Sequence, residues 1–506
     1  MTPAAAPEPA SLPDRLGGVF AAEQIIETHI SWVFLEREYV YKVKKPVDLG
    51  FLDFRTLARR RHFCEEEVRL NRRLAPDTYL GVKEIKRKGR TVEVAVWMRR
   101  LPAELMLDRL VAGGRADTAL MERIGRVIAD FHATAAHGRA ISHFGSRKVV
   151  ERNWRENFAQ TRRLPPDVLR PDVRAGVRAW VARFLRDNAR RFTDRIRAGR
   201  IRDCHGDLQA QHICCTDPIR IYDCIEFNHR FRYGDTAGEI AFLAVDLDVL
   251  GRPDLAMDFV NAYLDAGGDY AAVPLLDFYR AYRAWVRGKV LGMQGEARYA
   301  RAHDYFALAA SYTAPRPTPR LTVMTGLMGS GKTTAARRVS REDAIIVRTD
   351  AVRRQVAGVP WHHRDGTGFG EGLYTPEMTE RTYARCLEIA RELLAARWSV
   401  VLDGVYGRRA ERDAARALAK DLGVPAQVLW CDPPEGVLRE RLRQRAARAT
   451  DLSEGREDLL DAQKARYERP EGEPDVVKSE GASTAPSDAS PRTEVRRRSR
   501  RSNTAP

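Results

Sequence analysis

The chain has 506 residues, 44% of them hydrophobic, and a formal net charge of +17. This length predicts two or three domains, each large enough for its own core. It contains no run of about eighteen apolar residues, so we expect no transmembrane helix. The Ala/Pro-rich segment 1–18 lacks the features of a signal peptide and predicts a disordered tail. Seven thinly spread cysteines suit a reducing compartment, so we expect a cytoplasmic protein.

The positive charge is mostly arginine, and it includes one dense block at 496–501. Such a charge is typical of proteins that bind nucleic acid or anionic substrates such as nucleotides. A solvated tail is the favoured interpretation of the block, and nucleic-acid contact is the less favoured alternative. We predict that the whole segment 481–506 is a disordered basic tail.

The first half of the chain predicts a small strand-rich lobe followed by a larger helical lobe. Antiparallel strands are predicted at 31–44 and 91–98, and long helical patterns follow at about 117–136, 175–198, 236–266 and 275–311. Segment 205–213, His-Gly-Asp-Leu-Gln-Ala-Gln-His-Ile, lies between these helices. A second acid, Asp223, lies in the predicted strand at 219–227. Two acids this close suit phosphoryl transfer, in which one accepts the acceptor proton and the other binds Mg²⁺.

This segment resembles the catalytic loop of the aminoglycoside phosphotransferase and protein-kinase-like superfamily, H-G-D-x-x-x-x-N followed by a metal-binding Asp. The resemblance covers about 19–312 and implies a bilobal fold with Asp207 as the catalytic base and Asp223 as a metal ligand. Lys42 resembles the lysine that holds the ATP phosphates, with Lys44 on the same face as the alternative. Glu67 resembles the glutamate that pairs with that lysine.

Two departures from this family pattern leave the activity of the first half open. His212 stands where the family has a metal-binding Asn, and imidazole is a poorer Mg²⁺ ligand than an amide oxygen. There is also no glycine-rich loop near 31–40. An active kinase and a nucleotide-binding module both remain compatible with the sequence. A zinc site is a less favoured alternative for the nearby cysteines and histidines, which are Cys204, Cys214, Cys215, Cys224, His205 and His212.

Segment 313–319 contains three prolines and predicts a stiff linker. Beyond it, apolar strands alternate with helices over 320–480, with strands predicted at 321–325, 344–347, 399–402, 426–431 and, weakly, 475–478. This alternation predicts a parallel sheet with helices on both faces. A helix is predicted from Thr375, as its N-cap, to about Ala396.

The most specific motif of the chain is Gly-Leu-Met-Gly-Ser-Gly-Lys-Thr-Thr at 326–334. It fits the phosphate-binding loop G-x-x-x-x-G-K-[ST], preceded by a strand and followed by a helix. Its glycines let backbone N–H groups turn toward phosphate oxygens, while the lysine reaches the β/γ-phosphates and the first threonine holds Mg²⁺. The predicted ATP-binding residues are Gly326, Gly329, Ser330, Gly331, Lys332, Thr333 and Thr334.

Two carboxylates follow strands of this predicted sheet. Asp350 can orient or deprotonate an acceptor hydroxyl, and Arg353, one helical turn later, can hold an anionic acceptor. A helix-capping aspartate beside a surface arginine is the alternative. Asp403 is predicted as the second Mg²⁺ anchor, with a turn role as the alternative.

Four arginines crowd one predicted helix, and two of them, Arg441 and Arg445, share a face. Such a helix can close over ATP and stabilise the transferring phosphoryl group, which makes both residues candidate catalytic groups. A solvated basic face is the alternative.

The second half resembles the P-loop, AAA-type ATP-binding kinases: gluconate and shikimate kinase-like enzymes, zeta-toxin-like kinases and polynucleotide 5′-hydroxyl kinases. Both halves together predict a bifunctional phosphotransferase that uses ATP and Mg²⁺ and acts on a hydroxyl of a small acceptor. The alternative is a nucleic-acid or nucleotide 5′-hydroxyl kinase in the second half, with the first half a non-catalytic nucleotide sensor or scaffold. The sequence does not specify the acceptor.

Overall fold

A computed structural model describes residues 19–341, 343–363, 371–448 and 457–479. The predicted tails at 1–18 and 481–506 lie outside these residues. Within the described ranges, no helix has both the length and the apolar character that a membrane span needs.

The first lobe is a five-stranded antiparallel sheet in the order β1-β2-β3-β5-β4, covered by helix α1. Its elements are β1 (Gln24–Glu27), β2 (Ser31–Leu35), β3 (Tyr39–Lys44), α1 (Leu57–Asn71), β4 (Tyr79–Arg87) and β5 (Arg90–Arg99). The sequence did not predict β1 and β4. All four residues of β1 are exposed, and β4 carries several charged side chains, so neither presents a buried apolar run.

The second lobe is mainly helical. Its helices are α2 (Leu107–Ala112), α3 (Thr118–Thr134), α4 (Arg139–Ser142), α5 (Arg147–Gln160), α6 (Pro171–Asp187), α7 (Ala189–Arg197), α8 (His229–Arg232), α9 (Thr236–Val249), α10 (Pro253–Gly267), α11 (Leu276–Gly292) and α12 (Tyr299–Ser311). Two short antiparallel pairs join it, β6 (Ile201–Asp203) with β9 (Tyr233–Asp235) and β7 (Ile213–Cys214) with β8 (Arg220–Ile221).

Three of the long predicted helices are each divided into two. The pattern at 236–266 breaks because Gly251 adopts a left-handed φ of 75° and Pro253 then starts a new helix. The pattern at 275–311 breaks at Gly295, whose φ is 102°. The pattern at 175–198 is interrupted at Asn188.

The last part of the chain forms a parallel sheet in the order β11-β12-β10-β13-β14. Its elements are β10 (Leu321–Thr325), α13 (Lys332–Ser340), β11 (Ala344–Arg348), α14 (Thr349–Ala357), α15 (Pro376–Ala395), β12 (Ser399–Asp403), α16 (Arg409–Asp421), β13 (Ala426–Cys431), α17 (Glu435–Arg448), α18 (Leu460–Lys464) and β14 (Val476–Ser479). The predicted fold class, a kinase-like α+β half followed by a parallel α/β half, is confirmed.

The helical lobe covers the edge of this parallel sheet. β11 is an edge strand, and Asn261 of α10 pairs with its backbone as a neighbouring strand would. The side chain accepts a hydrogen bond from Ile346 N at 2.8 Å and donates one to Ala344 O at 3.2 Å. Since an uncovered edge strand exposes unpaired backbone groups, this contact both joins the two halves and protects the edge.

Candidate active sites

The phosphate loop lies between β10 and α13. Gly326, Gly329 and Gly331 all adopt positive φ, at 141°, 77° and 87°. A Cβ at Gly326 would lie 2.4 Å from the Cys431 carbonyl oxygen, so only glycine fits there. Lys332 folds over the loop and donates from Nζ to Gly326 O at 2.9 Å and to Leu327 O at 2.8 Å.

Thr333 and Asp403 meet across the sheet edge. The Thr333 hydroxyl donates to Asp403 Oδ2 at 2.9 Å, and Asp403 is 5% exposed at the end of β12. A hydroxyl and a carboxylate oxygen are the ligands that a hard cation such as Mg²⁺ prefers. The two residues predicted as metal ligands in this half therefore form one oxygen-rich site.

Asp350 and Arg353 lie on α14, beside this edge. Asp350 is half-buried in the first turn of the helix, where its carboxylate makes no hydrogen bond to the residues described. Arg353 is 5% exposed and donates to Leu373 O at 3.0 Å and to Thr379 Oγ1 at 3.1 Å, beneath the Tyr374 ring. Arg353 thus holds the start of α15 in place through hydrogen bonds. Its role in binding an anionic acceptor stays a prediction.

The arginines of α17 have different neighbours. A Cβ built on Gly331 would lie 3.2 Å from Arg441 Nη1, which places this guanidinium against the phosphate loop. Arg439 pairs with Glu435 and Asp461, and Arg443 pairs with Glu457, so these two match the alternative of a charged surface. Arg445 belongs to the same helix, but its side chain lies outside the described part of the structure.

The first half brings its predicted lysine, glutamate and aspartate together. Lys42 Nζ lies 2.6 Å from Asp223 Oδ1 and 2.9 Å from Glu67 Oε1. Burial alone would lower the pKa of Lys42, but Asp223 and Glu67 outweigh it and raise this pKa well above its usual value. Lys44 is fully buried and bonds to Glu67 and Glu226. Lys42, not Lys44, therefore faces the predicted metal ligand.

His212 lies between the two acids of the catalytic loop. Its Nδ1 is 2.9 Å from Asp207 O and its Nε2 is 3.6 Å from Asp223 Oδ2. Asp207 accepts a hydrogen bond from Gln209 Nε2 at 2.6 Å, and Asp223 adopts a left-handed φ of 64°. The two carboxylates therefore lie near opposite ring nitrogens of His212, with Asp207 Oδ2 3.6 Å from Nδ1 and Asp223 Oδ2 3.6 Å from Nε2.

A buried carboxylate, that of Glu239, binds the backbone of this loop. Glu239 accepts hydrogen bonds from the backbone N–H groups of His205 at 2.8 Å and Gly206 at 2.6 Å, and it contacts His132 Nε2 at 3.1 Å. Burial would raise the pKa of Glu239, but the hydrogen bond with His132 and the charges around it lower that pKa to about 2. Burial lowers the pKa of His205 to about 4.

The motifs did not predict Glu239, Arg348 or Asp265, which contact site residues through the tertiary fold. The zinc alternative gains no support from the described residues. There, the side chains close enough to share an ion are His132, Cys204 and Glu239, and Glu239 is already hydrogen-bonded as above. Cys214, Cys215 and Cys224 are not in this group.

Two family models match the chain. One, described as "Phosphotransferase enzyme family", matches residues 36–286, and another, described as "AAA domain", matches residues 321–470. Both resemblances predicted from the motifs are confirmed: the first half matches a phosphotransferase family, and the second half matches an AAA-type domain.

Uncharacterized proteins of Mycobacterium tuberculosis and Mycobacterium bovis are each 35% identical over 433 residues, covering 84% of this chain and 87% of the relative. The chain belongs to the same protein family as these mycobacterial relatives.

Two solved structures are also similar to part of the chain. A gluconokinase from Sinorhizobium meliloti is 23% identical and covers 33% of this chain and 86% of its own, with a TM-score of 0.24. An APS kinase from Mycobacterium tuberculosis is 21% identical and covers 33% of this chain and 91% of its own, with a TM-score of 0.25.

Proposed function

We propose that this chain is a bifunctional, cytoplasmic phosphotransferase that transfers the γ-phosphate of ATP to a hydroxyl group of a small acceptor. The observation that carries the proposal is the 2.9 Å contact between Thr333 and Asp403 at a glycine loop of matching geometry. These oxygens suit Mg²⁺. When bound, Mg²⁺ neutralises charge on the ATP phosphates.

In the P-loop half, the residues around the loop take distinct roles. Lys332 is already oriented across the loop, and it exchanges its carbonyl partners for phosphate oxygens when a nucleotide enters. Arg441, beside Gly331, stabilises charge on the transferring group. Asp350, whose carboxylate is half-buried, orients and deprotonates the acceptor hydroxyl.

In the first half, the proposal assigns phosphate binding to Lys42, held by Glu67, and proton abstraction to Asp207. Asp223 and His212 would hold the metal ion. Lys42 lies within hydrogen-bonding range of both Glu67 and Asp223, and the Asp207 carboxylate lies 3.6 Å from His212. This convergence supports activity rather than nucleotide binding alone.

The test is transfer of ³²P from labelled ATP to pooled sugars, aminoglycosides, nucleosides and 5′-hydroxyl oligonucleotides. Lys332→Ala should reduce P-loop transfer by about 100-fold, the usual effect of losing one donor to a developing charge. Asp207→Ala should remove the transfer that remains. Lys420→Ala changes an exposed lysine at the end of α16 and should leave both activities intact.

Three results would contradict parts of this proposal. Full transfer by Lys332→Ala would refute the P-loop assignment. Unchanged activity in Asp207→Ala, combined with loss of all transfer in Lys332→Ala, would leave the first half as a sensor or scaffold. ATP binding without any labelled acceptor would refute phosphotransfer in both halves.

The net charge of +17 favours one further candidate, a 5′-hydroxyl kinase for nucleic acids or nucleotides. Binding that depends on phosphate contacts weakens steeply with salt. Labelling confined to oligonucleotides, with affinity falling as salt rises, would favour this candidate over a small acceptor. Salt-insensitive binding would eliminate it.

A further inference from the structure

A buried arginine links the predicted metal site of the P-loop half to the other half of the chain. Arg348 ends β11 and is 5% exposed. Its Nε lies 3.5 Å from Asp403 Oδ2, the same oxygen that accepts the Thr333 hydrogen bond. Its Nη1 lies 3.4 Å from Oδ2 of Asp265, which belongs to α10 of the helical lobe. Among the described residues, Arg348 therefore faces two carboxylates, one from each half.

Asp265 lies close to the P-loop site as well as at the interface between the two halves of the chain. Its Oδ1 atom is buried and has no hydrogen-bond partner among the described residues. Asp265 also lines a cavity of about 20 Å³ between the halves, and Thr333 and Arg348 line the same cavity. This volume is about what one water molecule needs, so a water-mediated contact to the site has room.

The charges of the cluster show what Asp265 contributes. Asp265, Asp403 and Arg348 carry two negative charges and one positive charge, so these three described groups sum to one net negative charge beside Thr333. The other charged residues that line the cavity balance one another: Glu122 and Asp258 against Arg126 and Arg337. Without Asp265, Arg348 would neutralise Asp403, and the attraction of the site for a cation would fall.

We propose that Asp265 is a positioning residue of the P-loop site, which engages Arg348 so that Asp403 keeps its negative charge for Mg²⁺. The inference rests on the proposed function of that site. By this inference, the kinase-like half contributes a residue to the P-loop site and is not only joined to it through the chain.

The ionisation of Asp265 is consistent with this role. Burial raises the pKa of Asp265 to about 6, with Arg348 acting in the opposite direction. The carboxylate is therefore mostly ionised at neutral pH.

The experiment measures the affinity of the protein for a fluorescent ATP analogue, once with Mg²⁺ present and once with EDTA. All variants carry Asp223→Asn, which removes the predicted metal ligand of the other site. Asp265→Asn should weaken binding of the Mg²⁺ complex by about 5-fold or more, at the low end of typical couplings between sites. Binding in EDTA should not weaken, because Lys332 and the loop backbone are untouched and the variant removes a negative charge near the phosphates.

Glu122→Gln is the matched control. Glu122 also lies on the helical lobe and pairs with an arginine of the P-loop half, Arg337, but it has no contact with Asp403 or Arg348. It lines the same cavity as Asp265. Its loss should lower the affinity for the Mg²⁺ complex much less than Asp265→Asn does, because the charge it removes is not paired with Arg348 or Asp403.

The double variant Asp265→Asn/Arg348→Gln restores one net negative charge to the cluster. It should recover the affinity that Asp265→Asn loses, which the mere loss of an interface contact could not explain. Asp265→Glu keeps the charge and should retain most of the affinity, so it provides a second test if the double variant does not fold.

Distinct results separate this inference from the proposed function. An unchanged affinity in Asp265→Asn, while Lys332→Ala still abolishes binding, would overturn the inference alone. An equal loss with Mg²⁺ and with EDTA would also overturn it, because the role would then be structural. If Lys332→Ala leaves nucleotide binding intact, the proposed P-loop function itself fails.

Discussion

His205 is a buried imidazole whose two ring nitrogens both have partners. Its Nε2 lies 3.0 Å from Tyr222 O, a carbonyl that can only accept a hydrogen bond, and its Nδ1 lies 3.4 Å from the Asp207 N–H, which can only donate. These partners select the neutral tautomer protonated on Nε2. Protonation of Nδ1 would lose the bond from Asp207 N and place a charge among buried atoms, which is consistent with the low pKa of this group.

We predict that His205 makes the fold sensitive to mild acid. The unfolded chain binds a proton at His205 below about pH 6.5, whereas the folded chain does so only near pH 4. The free energy of unfolding should therefore fall by about 1.4 kcal/mol per pH unit within this window as pH decreases. Urea unfolding at about pH 7.5 and about pH 5.5 should show a larger loss for the natural chain than for His205→Gln. Parallel losses in the two proteins would contradict the prediction.

The sequence predicted those site residues that lie in contiguous motifs or end an apolar strand. Lys332 and Thr333 lie within one nine-residue pattern, and Asp403 ends a buried strand. Asp265 lies near the end of α10, a helix that is buried at every position from Leu255 to Leu264, and no local pattern marks it. Its proximity to Arg348 arises only when α10 packs against the parallel sheet, so spacing alone could not predict it.

At the scale of elements, β10, β11 and β12 of the parallel sheet were predictable because nearly all of their residues are buried. β10 and β11 are buried at every position, so each presents a mainly apolar run, interrupted in β10 by two threonines and ended in β11 by Arg348. The antiparallel sheet was predicted incompletely, because one face of such a sheet meets water and its edge strands carry polar residues. β4, for example, holds three charged side chains in its second half.

The element that joins the two halves is α10, and Asn261 is its most specific contact. We predict that Asn261→Leu reduces the free energy of unfolding by about 1–3 kcal/mol, the cost of a buried N–H group left without a partner. The N–H of Ile346 would lose its acceptor, while leucine fills a similar volume. Urea unfolding measures the change.

Asn188→Leu serves as the comparison for this variant. Asn188 donates a hydrogen bond to Phe184 O at 3.0 Å, but it lies half-buried at a helix end where water can replace it. Its replacement should cost less than that of Asn261. An equal loss of unfolding free energy in both variants would mean that α10 does not shield the edge of β11 from water.

For the whole molecule, the hydrophobic cores do not follow the division of the sequence into two halves. The largest cluster of buried side chains runs from Leu107 of the helical lobe to Val428 of the parallel sheet. The antiparallel sheet has two small clusters of its own, one around Phe34 and one around Val68. Arg316, in the Pro-rich segment, adds to the junction by pairing with Asp277 and Asp343 and by lying 3.2 Å from the centre of the Trp398 ring.

This distribution of cores predicts which parts of the chain unfold together, because cooperative units follow shared buried contacts. Amide hydrogen exchange measured at increasing urea should show α10, α11 and β10–β12 losing protection at one urea concentration, although they lie on both sides of the Pro-rich segment. β1–β5 should lose protection earlier, since their smaller clusters bury fewer side chains. Loss of protection in β10–β12 at a different urea concentration from α10 would contradict this prediction, because the shared core and the Asn261 and Asp265 contacts would then not couple the two halves.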